Sequence, residues 1–108
     1  MIDIINESSH ISKRMIHWFI TNYLKNNYNI RSHYLGIYNS YKDHLKILTT
    51  TKFDPFRRGN TFDYHYDEND NSLTINTTIG QLNFFKWIIE NNIFDDIEEN
   101  LDIILHNF

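Results

Sequence analysis

The stretch Thr78-Ile79-Gly80-Gln81-Leu82-Asn83-Phe84-Phe85-Lys86-Trp87-Ile88-Ile89-Glu90-Asn91 decides how the rest of the chain must be arranged. Thr78 and Gln81 have the spacing of a capping box, in which a hydroxyl and a side-chain amide reciprocally satisfy the open backbone donors of a helix start. They predict a helix from about Gly80 that ends at Asn91 and Asn92. Leu82, Phe84, Phe85, Trp87, Ile88 and Ile89 surround its axis, and only Asn83, Lys86 and Glu90 form a narrow polar stripe. A helix apolar nearly all round is buried in its own domain or covered by a partner. Phe84, Phe85 and Trp87 are therefore candidates for the core and, alternatively, for a protein interface.

Immediately upstream, Phe62, Tyr64 and Tyr66 alternate with Asp63, His65 and Asp67, which is the period of a strand. Leu73 and Ile75 continue that period after the turn-forming run Glu68-Asn69-Asp70-Asn71. A β-hairpin over about 61–77 sets Tyr66 opposite Leu73, Tyr64 opposite Ile75 and Phe62 opposite Thr77, with every apolar residue on one face. Two strands alone are marginal, so this face must pack on helices or gain a third strand, for which Met1-Ile2-Asp3-Ile4 is a candidate. Downstream, a helix opening at Asp95 or Asp96 buries Ile97, Leu101, Ile104, Leu105 and Phe108 and turns Glu98, Glu99 and Asp102 to water.

Two helices precede the hairpin. The first is capped by Ser8 or Ser9, runs to about Asn26 and buries Ile16, Phe19, Ile20, Tyr23 and Leu24, with Lys13 and Arg14 off that stripe. The second runs from Ser32 or His33 to Thr49, with Tyr34, Ile37, Tyr38, Tyr41, Leu45 and Leu48 on its inner side. Phe53-Asp54-Pro55-Phe56-Arg57-Arg58-Gly59-Asn60 then breaks periodicity with the one proline of the chain and reads as a loop held by two aromatic anchors. The result is a single α+β domain over 1–108, mainly helical: two N-terminal helices, a hairpin and two C-terminal helices.

With 41% hydrophobic and 16% aromatic residues, the chain can bury enough area to fold without covalent staples. It has no cysteine, so disulfides, thiolate metal sites and cysteine nucleophiles are excluded. No leader pattern or long apolar run is present, which implies an intracellular protein with no membrane association. Alanine and valine are absent while isoleucine occurs 17 times and asparagine 15 times, the signature of an AT-rich genome. Residues 1–60 hold nine Lys/Arg against four Asp/Glu (+5), and residues 61–108 hold one against ten (−9), which together make the net charge of −4. Either the two halves attract each other within the fold, or the basic part faces an acidic partner such as nucleic acid.

Candidate chemistry is sparse. Asp63, His65 and Asp67 share one strand face but have no second ligand cluster, and Asp67-x-Asn69-x-Asn71 lacks the glycine and the terminal glutamate of a calcium loop. The six histidines match neither a metalloprotease motif nor a triad spacing, and no phosphate loop or nucleophile elbow occurs. No catalytic residue, metal or cofactor is therefore assigned. Arg57 and Arg58, beside Lys52 and with Lys13 and Arg14 from the first helix, are the candidate contacts to phosphate, and exposed aromatic rings could stack on unpaired bases.

Three segments carry a resemblance: His17-Trp18-Phe19-Ile20-Thr21-Asn22-Tyr23, Phe53-Asp54-Pro55-Phe56-Arg57-Arg58, and Thr77-Thr78-Ile79-Gly80-Gln81-Leu82-Asn83-Phe84-Phe85-Lys86-Trp87. They resemble an uncharacterised protein family of giant nucleocytoplasmic DNA viruses of the mimivirus kind. The resemblance implies a viral protein of the host cytoplasm, virus factory or virion, and it brings no activity with it. The expectation is a non-enzymatic viral interaction module that meets nucleic acid or a nucleoprotein assembly through its basic loop. The alternative is protein assembly or a structural virion role through Phe84, Phe85 and Trp87, with homo-oligomerisation left open.

Overall fold

A computed structural model describes residues 11–67, 69 and 72–107. Helix α1 (Lys13–Trp18) runs directly into a π-helical segment, Phe19–Leu24. Then follow α2 (Tyr34–Lys52), strands β1 (Thr61–His65) and β2 (Thr74–Thr78), and helices α3 (Ile79–Glu90), α4 (Ile93–Glu99) and α5 (Leu101–His106). The mainly helical α+β class read from the sequence is the class observed.

α1 is capped by Ser12, whose Oγ accepts the Met15 N–H at 3.2 Å, while Ser8 and Ser9 lie outside the described residues. The π-helical continuation was not foreseen. Its wider turn keeps Phe19, Ile20, Tyr23 and Leu24 buried together, and the Thr21 hydroxyl donates to the His17 carbonyl at 2.7 Å. α2 buries Tyr34, Ile37 and Tyr41 as its period requires. At Thr49 the backbone takes φ 59°, so the regular helix stops where the sequence placed its end and a separate turn steers the chain into Phe53.

The hairpin register is the predicted one, with Phe62 opposite Thr77 and Tyr64 opposite Ile75, and the Tyr66 N–H donates to the Leu73 carbonyl at 3.3 Å. Its apolar face is only partly covered. Ile75 and Thr77 are buried, whereas Phe62, Tyr66 and Leu73 are more than a third exposed and Lys86 of α3 lies 4.9 Å over the Tyr64 ring. The candidate third strand, Met1–Ile4, lies outside the described residues.

The expected last helix is in fact two. α4 starts at Ile93, after Asn92 in the left-handed region (φ 53°), and ends at Glu99, with Asn100 (φ −109°, ψ 16°) between it and α5. Asn100 causes this break: its Nδ2 donates to the Asp96 carbonyl (2.8 Å) and to the Tyr34 hydroxyl (2.8 Å), and its Oδ1 accepts from the Tyr23 hydroxyl (2.9 Å). A side chain that bonds its own backbone competes with helix continuation. Ile97 and Ile104 are fully buried, but with the helix interrupted at Asn100 Leu105 is 53% exposed, against expectation. Phe108 lies outside the described residues.

α3 is the centre of the core. Phe84 and Trp87 meet Phe53 at ring distances of 5.3 and 5.5 Å, and Tyr41 of α2 closes on Trp87 at 5.9 Å. The Trp87 indole N–H donates to Ser40 Oγ at 3.0 Å, so its polar atom is satisfied within α2. A second aromatic layer of Phe19, Tyr23 and Tyr34 stacks beside it at 5.2–6.2 Å. The Asn100 hub ties that layer to α4. Asn100→Ala strands two tyrosine hydroxyls and should lower the unfolding free energy by about 1–3 kcal/mol, read from the urea midpoint at unchanged m-value.

Candidate functional site

The loop between α2 and β1 lies across the start of α3, and backbone and side-chain bonds fasten it there. Asn83 Nδ2 donates to the Lys52 carbonyl at 2.9 Å and the Asp54 N–H donates to the Gly80 carbonyl at 3.1 Å. The Arg57 carbonyl accepts twice, from Thr78 Oγ1 and from Gln81 Nε2, both at 3.0 Å. The capping box is thus half formed. Thr78 Oγ1 still accepts the Gln81 N–H at 3.3 Å, but the Gln81 amide holds the arginine loop instead of returning to the cap.

Gly80 makes this approach possible. A Cβ there would sit 2.8 and 2.9 Å from Cβ and Cγ of Arg57 and 3.2 Å from the Thr51 carbonyl oxygen. The loop is anchored by Phe53 and Pro55, both buried, and not by two aromatics as the sequence reading had it. The Asp54 carboxylate accepts the Phe56 N–H at 2.8 Å and the Asp54 carbonyl accepts the Arg57 N–H at 3.2 Å. This tight turn rolls Phe56 outward, 41% exposed, with its ring edge against His17 at 5.5 Å.

Three of the five candidate cations converge. Lys13 of α1 joins Arg57 and Arg58 around a cleft of about 310 Å³ whose floor includes Thr77, Thr78 and Gln81. The start of α3 adds the positive end of its dipole. Among the described residues no carboxylate forms an ion pair with these three cations; the ion pairs found are Arg31–Glu99 (3.3 Å) and His33–Asp96 (2.7 Å). These two pairs join the segment leading into α2 to α4. Arg14 lines a separate groove with His17, Trp18 and Phe56, and Lys52 is exposed, its carbonyl accepting from Asn83 Nδ2.

Phe84 and Phe85 are 0% exposed and Trp87 is 3% exposed. Placed as possible interface residues, all three are core, because α2, Phe53 and α4 each need their rings as a packing surface. The water-facing residues of α3 are Ile79, Lys86, Ile89 and Glu90. Of the candidate ligand face, Asp63 accepts from Asn76 Nδ2 (3.1 Å) and Asp67 from the Asn69 N–H (2.9 Å). Among the described residues no three His, Asp or Glu side chains form a group that could hold a metal. His44 stacks on Phe53 at 5.2 Å and is bonded to the Ser40 carbonyl at 2.7 Å, which makes it a packing residue.

With this geometry in place, residues 1–108 match a family of unknown function, DUF7197. The chain belongs to that family. It is 39% identical over 113 aligned positions to a protein named "Uncharacterized protein L507" of Acanthamoeba polyphaga mimivirus, an alignment covering 96% of this chain and 44% of that one. The chain so spans less than half the length of this relative, and the giant-virus likeness read from three segments holds. No solved structure matches the chain. Among the described residues of this DUF7197 member, no helix is long and apolar enough to cross a membrane.

Two outcomes follow from the packing. Gly80→Ala would stabilise an ordinary helix by roughly 0.5–1 kcal/mol, yet here it should destabilise by about 1–3 kcal/mol, a sign reversal visible in chemical unfolding. Burial lowers the pKa of His17 below its ordinary 6.5, opposed by the nearby Asp54. The folded state then binds this proton less readily than the unfolded chain, so stability is lost as pH falls below 6.5. His17→Gln should flatten that part of the stability–pH profile relative to wild type.

Proposed function

We propose that this chain is a non-enzymatic viral interaction module that associates with viral nucleic acid or a nucleoprotein assembly, holding phosphate groups between Lys13, Arg57 and Arg58. The carrying observation is the convergence of Lys13 with the arginine pair, 44 and 45 positions away in sequence, on one cleft beside a helix start. Guanidinium forks match phosphate oxygens two at a time, and an ammonium adds a point charge that can follow a flexible backbone. Three cations without carboxylate partners among the described residues keep their charge available to an anion. The site of action on this reading is the host cytoplasm, the virus factory or the virion.

The lashings of the loop give the reading its physical sense. Arg57 is fixed at its carbonyl by Thr78 and Gln81, so less backbone freedom is lost when its side chain meets a phosphate. Binding of a labelled oligonucleotide at low salt should weaken as salt rises. The slope of log K against log salt should flatten by about 0.7–0.9 for each of Lys13, Arg57 and Arg58 replaced by alanine, with a smaller change for Lys52→Ala. No binding at low salt, or binding untouched by the double arginine variant, would sink the reading.

A further inference from the structure

Arg57, Arg58, Gly59 and Thr78 line two clefts at once. One is the basic cleft to which Lys13, Thr77 and Gln81 also belong; the other, also of about 310 Å³, is completed by Thr51, Asn60 and Ile79. The arginine pair is thus a wall shared by two adjoining clefts, and among the described residues no Asp or Glu lines either. At Gly59, whose φ of 122° lies in the range that favours glycine, the wall carries no side chain, and a Cβ there would meet nothing within 4 Å beyond its chain neighbours. A ligand can cross from one cleft to the other over this open point. Both clefts also offer neutral polar groups. Thr77 in the first is 3% exposed, and its hydroxyl reaches the Thr78 carbonyl and Gln81 Oε1 only at 3.4 and 3.5 Å. Those contacts are longer than the roughly 2.5–3.0 Å of a good O–H···O bond, so the hydroxyl has more to gain from an anion. Asn60 in the second is exposed.

We infer that the two clefts together hold two successive phosphates of one nucleic-acid strand, the first against Lys13 and Thr77, the second against Asn60, with Arg57 and Arg58 donating to both. The inference rests on the phosphate-binding reading above and adds the number of phosphates held and the path of the strand between them. A guanidinium presents five N–H donors in one plane and a phosphate accepts two of them side by side, so an arginine in a shared wall has donors left for a second phosphate. Neighbouring phosphates repel each other, and two cations set between them offset that repulsion. A free polyphosphate would meet the same cations. The second cleft favours a strand, because the side chain of Ile79, 44% exposed, gives it an apolar side that a sugar covers and a polyphosphate ion does not.

Competition against labelled oligo-dT at constant ionic strength tests the inference, with the thymidine dinucleotide (one phosphate), the trinucleotide (two phosphates) and tripolyphosphate as competitors. The trinucleotide should displace the label at about one tenth of the concentration that the dinucleotide needs, and tripolyphosphate should need more than the trinucleotide. Asn60→Asp sets a carboxylate in the second cleft and should remove most of that tenfold advantage. Asn39→Asp, the same change of charge in a groove that shares no residue with either cleft, should leave the advantage in place. Asn60 is exposed, and an unchanged thermal midpoint certifies that the variant is folded. A trinucleotide no better than the dinucleotide, or an advantage that survives Asn60→Asp, overturns the inference while the first cleft stands. Displacement by tripolyphosphate at a lower concentration than by the trinucleotide overturns the strand as the occupant. If oligo-dT does not bind at low salt, or binds the double arginine variant like wild type, the underlying reading fails as well.

Discussion

The carbonyl of Arg57, bonded at once to the Thr78 hydroxyl and the Gln81 amide, is the point on which the surface of this molecule is built. A carbonyl has two lone pairs, and here both are used to press a loop onto a helix start. That contact requires a residue without a Cβ at position 80, and the same contact consumes the glutamine that would have closed the cap. Without it the loop would still be held at Lys52, Phe53 and Asp54, but the segment carrying Arg57 and Arg58 would lose its bonds to the start of α3. The basic character of the cleft is a consequence of backbone satisfaction, with charge added on top.

Beneath the loop, two aromatic layers explain why α3 can serve as the platform. Phe53 belongs to both worlds: its ring packs against Phe84 and Trp87 inside, and the next residue, Asp54, already bonds the Gly80 carbonyl outside. Core packing and surface geometry are thus coupled through a single peptide link. The acidic residues of α4 and the basic start of α2 pair on another side, through Arg31–Glu99 and His33–Asp96. The exposed Arg31–Glu99 pair contributes little to stability, whereas His33–Asp96 places a buried carboxylate against the ring of His33.

Much of this was legible from period and spacing. The hairpin register followed from alternation together with the turn-forming run Glu68-Asn69-Asp70-Asn71, because a one-residue slip would have moved Tyr64 and Ile75 to opposite faces. That α3 must be covered followed from its lack of a wide polar face, but whether by its own domain or by a partner did not. What the sequence could not disclose depended on three-dimensional competition for hydrogen bonds: Gln81 chose a carbonyl 24 residues away over its own cap, and Asn100 broke a helix to reach two tyrosines. Phe56 was misread as an anchor because aromatic type signals burial, whereas the Asp54 turn decided its direction. A glycine inside an apolar helix was the visible hint that something approaches closely at position 80. The convergence of Lys13 with Arg57, by contrast, has no local signal at all.

The Asn100 hub bears on how the chain folds as it is made. Its bond to Tyr23 spans 77 residues and its bond to Tyr34 spans 66, so the inner aromatic layer is closed only after residue 100 has left the ribosome. Until then the hydroxyls of Tyr23 and Tyr34 lack their Asn100 partner. Contacts of such long sequence separation form late and slow a folding reaction, and the open intermediate shows sticky surface while it waits. A nascent chain of this kind places its greatest demand on chaperones before residue 100 has emerged, and the demand ends when one asparagine docks.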